Sequence, residues 1–216
     1  MADWNKTAKW GNPKKSVTDA KEAPNPEKIE GKKAARRQTE VFELSTKYLY
    51  RRAFGESQLL EKMGLTPLQK GHSYHCITGG NVDSLSFLRV VLLHQDLDYL
   101  LFSTWCMAAE DIFQLEEWLK NGKIKKLDAY VGEIFPSSYV VEWRMLNAMF
   151  EKYQCGRIAC FKNHSKIYAG WGDKFHFAIE SSANINTNPR TEQGTIIIDE
   201  GLCMFYKDFF DGINSF

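Results

Sequence analysis

The sequence lacks an apolar run near the ~20 residues that a helix needs to span a bilayer, so no stable membrane insertion is expected. It also lacks a CxxC pair. Its five cysteines (Cys76, Cys106, Cys155, Cys160 and Cys203) stand apart. An odd count without paired spacing argues against a disulfide framework and predicts free thiols in a reducing compartment. Cys155 and Cys160 bracket Gly156, but a metal site there would need two further ligands at suitable spacing, and the sequence offers none. The opening segment MADWNKTAKWGNPKK has no apolar stretch of the secretory type, and a cytoplasmic protein is expected. No internal repeat is present. Charge of one sign is missing too: the net value is +1, so no global field recruits polyanions.

The charge is unevenly placed. Residues 1–40 carry ten Lys and Arg against six acids, a surplus of +4, which leaves −3 for the rest. Residues 1–34 are polar, with Pro13, Pro24 and Pro26, and read as a flexible basic tail. Residues 35–71 read as a helical arm or connector with a turn at Gly64 to Pro67. Its Arg36–Arg37 and Arg51–Arg52 pairs suit phosphate-backbone contacts, although such runs are more often solvated faces.

From residue 72 onward the hydrophobic period alternates between two and 3.6. YHCITGG reads as a strand, and NVDSLSFLRVVLLHQ as a helix capped by Asn81 or Asp83. DYLLFSTWCM reads as a buried strand. AEDIFQLEEWLKNG is a helix with Ile112, Leu115, Trp118 and Leu119 on one face, stopped by Gly122. KKLDAYVGE is a strand, and SSYVVEWRMLNAMFEKYQ a helix with a stripe of Tyr139, Trp143, Leu146, Phe150 and Tyr153. GRIACFKNHSKIYAG and KFHFAIESSAN read as two adjacent strands, GTIIIDE as a last strand and GLCMFYKDFFDGI as a terminal helix. The order βαβαβαβββα predicts an α/β fold, a layered β-sheet flanked by helices.

Side chains two apart on a strand share a face, so the sequence places His164 with Lys166, and Ser182 with Asn184. An imidazole, an ammonium, a hydroxyl and an amide at one end of a sheet form a phosphate site. The imidazole can attack phosphorus, and Glu192 can orient it. A lone strand histidine is more often structural, and only the joint pattern raises this one above that reading. Other features have plain explanations. His176 is expected to hydrogen-bond Glu180, TGGN at 78–81 to form a turn and helix cap, and Trp105, Trp118 and Trp143 to fill the core. Trp171, read as lying in the loop after HSK, would either stack on a base or cover the hairpin.

HSK at 164–166, SSAN at 181–184 and the segment NTNPRTEQ resemble the phospholipase D superfamily signature, H-x-K-x4-D-x6-G-S-x-N followed by an acid. The resemblance covers residues 74–216 and implies a phospholipase D-like domain over 72–216. It implies that His164 is the nucleophile, that Lys166 and Asn184 bind phosphate, that Ser182 assists and that Glu192 pairs with His164. Two positions depart from the signature: Ser181 stands for its Gly, and Trp171 for its Asp, with Asp173 the nearest acid. Only one HxK occurs, whereas the family mechanism uses two histidines. The resemblance therefore implies a homodimer sharing one site. It further implies metal-independent phosphodiester hydrolysis through a phosphohistidine with no cofactor. The basic arm favours nucleic acid, DNA or RNA, over lipid. The alternatives are a catalytically degenerate module of this fold that binds nucleic acid or protein without cleaving, and a phospholipid phosphodiesterase.

Overall fold

The structure, a computed structural model, describes residues 55–186 and 190–214. The tail at 1–34 and the Arg36–Arg37 and Arg51–Arg52 pairs lie outside the described residues. The chain is helical from Gly55, widens into a π-helical turn over Leu60–Gly64, and then enters the domain.

Seven strands follow: β1 (Ser73–Thr78), β2 (Tyr99–Thr104), β3 (Leu127–Gly132), β4 (Ile158–Phe161), β5 (Ile167–Trp171), β6 (His176–Ser181) and β7 (Glu192–Ile197). The helices are α1 (Ser84–Leu92), α2 (Ala109–Lys120), the short α3 (Phe135–Ser138), α4 (Val140–Tyr153) and α5 (Glu200–Asp211). The sheet order is β1-β7-β6-β5-β2-β3-β4. β2, β3 and β4 are parallel, joined by helical crossovers, and the other neighbours pair antiparallel. The α/β reading is confirmed, and the four long helices expected after residue 80 are present; the helical arm expected up to residue 54 lies outside the described residues.

The sheet has two unequal faces. Leu100 and Phe102 of β2, Leu127, Ala129 and Val131 of β3, and Tyr168 of β5 join the large core beneath α1, α2 and α4. The alternate residues Tyr99, Leu101, Tyr130 and Ala169 meet Cys203 and Phe210 of α5 on the other side. This alternation is the period-two pattern of strands covered on both faces. Asp83, not Asn81, caps α1 by accepting from the Ser86 N–H. Arg157 anchors the end of α5: its guanidinium donates to the carbonyls of Phe210 (2.8 Å), Asp211 (3.1 Å) and Ile213 (3.3 Å). Among the described residues no helix is long and apolar enough to cross a membrane.

One sequence expectation is corrected. GRIACFKNHSKIYAG is not one strand: β4 ends at Phe161, and β5 begins at Ile167 three places away in the sheet. His164 and Lys166 lie in the connection. The cause is Asn163, whose side chain binds the ends of β2 and β3 and turns the chain out of the β4 edge.

Candidate active site

The strand directions decide what meets at each end of the sheet. β6 runs the same way as β2, whereas β5 and β7 run oppositely. The carboxyl ends of β2, β3, β4 and β6 therefore lie with the amino ends of β5 and β7. This is the edge where open α/β sheets carry their ligands. The loop before β5 supplies His164 and Lys166, the turn after β6 supplies Ser182 and Asn184, and β7 opens with Glu192.

Backbone bonds stitch these pieces side by side. Ser181 N–H donates to the Lys166 carbonyl at 3.0 Å, and Ser182 N–H to the Gln193 carbonyl at 3.0 Å. Thr78 pairs with Glu192 in register, which brings the TGGN turn to the same edge. In that turn Gly80 N–H donates to Thr78 Oγ1 at 3.4 Å.

His164 is exposed, and Lys166 beside it is 7% exposed. Lys166 Nζ lies 2.9 Å from His164 Nδ1 and donates to the His164 carbonyl at 2.6 Å. Burial pulls the lysine below its ordinary value, partly offset by the neighbouring Cys106 and by the Glu192 charge. An ammonium can only donate, so Nδ1 accepts, and the ring proton of a neutral His164 sits on Nε2, away from the lysine. Trp105 packs against the imidazole, with centroids 5.6 Å apart and planes at 50°. Gly132 makes room for it: a Cβ there would stand 2.6 Å from Trp105 Cδ1 and 3.1 Å from the Asn163 carbonyl.

Ser182 Oγ donates to Glu192 Oε2 and accepts from Gln193 N–H at 2.9 Å. Among the described residues the hydrogen bond to Glu192 thus comes from Ser182 and not from His164. Asn184 Oδ1 is buried with no hydrogen-bond partner among the described residues. A buried amide oxygen is normally satisfied, so this one is an exception.

The structure therefore brings together His164 with Lys166, and Ser182 with Glu192, and it seats Asn184 on the same edge. Two further expectations are corrected. Trp171 ends β5 at the opposite edge, where it stacks on Tyr99 at 4.5 Å, and Asp173 lies in the turn beyond it. His176 stacks on Trp171 at 5.5 Å, while Glu180 accepts from the Tyr206 hydroxyl at 2.5 Å. Sequence reasoning missed Asn163, Ser103 and Ser165 beneath the histidine, and it read Trp105 only as core. The available signal was position: Ser103 and Trp105 sit at the carboxyl end of a parallel strand.

Comparison with protein-family models finds no match, and no curated protein matches the chain. Among solved structures the chain is similar to polyphosphate kinase from Porphyromonas gingivalis, at 17% identity and a TM-score of 0.48. That likeness covers 71% of this chain and 28% of the kinase. It is also similar to phosphatidylserine synthase from Haemophilus influenzae Rd KW20, at 16% identity and a TM-score of 0.49, over 63% of this chain and 37% of the synthase. This chain thus spans little more than a third of either protein at most.

Proposed function

We propose that this chain is a phospholipase D-like phosphodiesterase that acts on nucleic acid. The observation that carries the reading is an exposed His164 backed by the buried Lys166, on the same sheet edge as Asn184. Lys166 and Asn184 hold the non-bridging oxygens of a phosphodiester by charge and by the amide N–H groups. His164 Nε2 attacks phosphorus: a P–N bond forms and the P–O bond to the leaving group breaks. The His164 of a second copy, facing across a two-fold axis, protonates the departing oxygen. Water then attacks the phosphohistidine, gives its proton to that second imidazole, and releases the phosphate monoester.

The ring as it stands carries its proton on Nε2. Substrate supplies the change: a phosphate oxygen draws the Lys166 ammonium off Nδ1, the ring proton passes through water to Nδ1, and Nε2 becomes the free base. Glu192, released from Ser182, is the acceptor for Nδ1–H in that state.

The surplus of +4 in residues 1–40 favours nucleic acid as substrate. The engagement of Glu192 by Ser182 favours a second reading, a module of this fold that binds nucleic acid without cutting it. The deciding assay is cleavage of labelled single- and double-stranded DNA and RNA in excess EDTA, by wild type and His164→Ala. Cleavage by wild type alone supports the hydrolase. Binding without cleavage supports the module, and neither cleavage nor binding turns the search to phospholipids.

A further inference from the structure

Beneath His164 lies a second polar cluster, formed by Asn163 (5% exposed), Ser103 (1% exposed) and Ser165. Asn163 Nδ2 donates to Ser103 Oγ at 2.9 Å and to the Tyr130 carbonyl at 2.9 Å, with the Thr104 carbonyl at 3.4 Å. Its Oδ1 accepts from Ser165 N–H at 3.0 Å and from Ser165 Oγ at 2.7 Å. Ser103 Oγ and Ser165 Oγ are 2.5 Å apart.

The valences fix the proton order. An amide oxygen cannot donate, so the single Ser165 hydroxyl proton points at Asn163 Oδ1. The donor between the two serines must then be Ser103. Ser103 in turn accepts from the Asn163 amide. The result is a closed ring, Asn163 Nδ2–H to Ser103 Oγ–H to Ser165 Oγ–H to Asn163 Oδ1, running in one direction. In such rings each bond polarises the next, and deleting one member weakens the others.

We infer that this ring is the positioning device for the H-S-K loop, with Asn163, Ser103 and Ser165 acting through His164 and Lys166 rather than on substrate. The ring clips Ser165 to Asn163 by its N–H and its hydroxyl, and to Ser103 of β2 by its Oγ. In an extended segment the neighbours of Ser165 project away from it. His164 and Lys166 are therefore both turned to the opposite side, where their 2.9 Å contact forms. The ring also anchors to β3 through Tyr130, so the loop moves only if two parallel strands move. Strand ends hold a site more tightly than a free loop does, and a misplacement of about 1 Å can cost roughly 100-fold in rate.

Ser165 is the member to test. It is half-buried and lines an apolar cavity of about 190 Å³ with Ile167, Phe205 and Phe209, so changes there do not threaten the core. Ser165→Ala deletes one hydroxyl and opens the ring. Ser165→Thr keeps the hydroxyl and places its methyl in the cavity. The first readout is long-range ¹H–¹⁵N NMR of the His164 ring. Wild type and Ser165→Thr are expected to show one tautomer, with Nδ1 unprotonated, and Ser165→Ala averaged nitrogen shifts. The second readout rests on the hydrolase reading: kcat falls about 10- to 100-fold in Ser165→Ala, with KM within twofold, and Ser165→Thr restores most of it. Unchanged nitrogen shifts in Ser165→Ala overturn the inference, as does a loss of activity that Ser165→Thr shares. Should wild type cleave nothing, the hydrolase reading fails while the nitrogen shifts still decide the ring.

Discussion

Lys166 Nζ touches its near neighbour His164 twice, at the ring nitrogen Nδ1 (2.9 Å) and at the backbone carbonyl (2.6 Å). The two contacts make the lysine a clasp across its own loop. They also satisfy an ammonium that is almost wholly out of water, which is a costly place for one. A cation held over an exposed imidazole has no evident structural benefit. It is the arrangement expected where stability is given up to hold a group ready for an anion.

The first prediction concerns that cost. Burial holds Lys166 below the ordinary lysine value of 10.5, so the folded state binds this proton less tightly than the unfolded state does. At neutral pH the penalty is present in full, and it fades as pH rises through the folded value towards 10.5. Lys166→Met is therefore expected to melt a few degrees above wild type at pH 7, since about 1 kcal/mol moves Tm by roughly 2–4 °C at this size. The gap should narrow in alkaline buffer, and cleavage should be lost. Calorimetry from pH 7 to 10 checks this, and a destabilised variant at pH 7 would show that the clasp is structural.

Glu192 offers a second test. In this structure it accepts from Ser182 Oγ, and the proposed turnover requires it to leave that hydroxyl for His164. Ser182→Ala removes the competitor but also a hydroxyl near the phosphate position, so a modest fall in kcat is expected, within about tenfold. Glu192→Gln replaces the carboxylate by a neutral amide that cannot stabilise a charged imidazole and should cost about 100-fold or more in kcat, by analogy with the general-base partners of other histidines. Single-turnover cleavage of a labelled oligonucleotide by both variants separates the cases. Equal losses would mean that Ser182 and Glu192 work only as a pair that shapes the turn.

How far the sequence revealed this site depends on the range of the interaction. The four long helices of the domain are visible because their apolar faces repeat locally: Ile112 and Leu115, read as one face, are both buried beneath α2. The pairing of HSK with SSAN was visible because β5 and β6 are close in sequence. The break between β4 and β5 was not. It depends on Asn163 reaching Ser103 and Tyr130, 60 and 33 residues away, and an Asn in an apolar run carries no local mark of such partners. The same holds for His176 and Glu180. Their spacing suggested a bond to each other, but Trp171 from the next strand and Tyr206 from α5 took the two side chains instead. Trp171 escapes a local reading too, because β5 runs one residue past Gly170 and carries its ring onto Tyr99 of the neighbouring strand.

The last prediction tests the anchor of α5, the helix that covers the second face of the sheet. Arg157 donates to three carbonyls at the helix end and to the Tyr130 hydroxyl at 2.9 Å, and its backbone N–H donates to Asp128 Oδ1 at 2.9 Å. Asp128 also accepts from the Tyr99 hydroxyl at 2.7 Å, so the network joins β2, β3 and α5. Arg157→Ala leaves the last carbonyls of α5 without their cation and is expected to cost about 1.5–3 kcal/mol, the range for hydrogen bonds to a charged group. Arg157→Lys should recover little of it, because one ammonium cannot span three carbonyls and a phenol as the guanidinium fork does. Hydrogen exchange supplies the specific readout: the amides of α5 should lose protection in Arg157→Ala while those of α1 and α2, on the other face, keep theirs. Because α5 also walls the cavity beside Ser165, the nitrogen shifts of His164 should stay in place if the ring alone sets the loop. They should begin to average if α5 contributes.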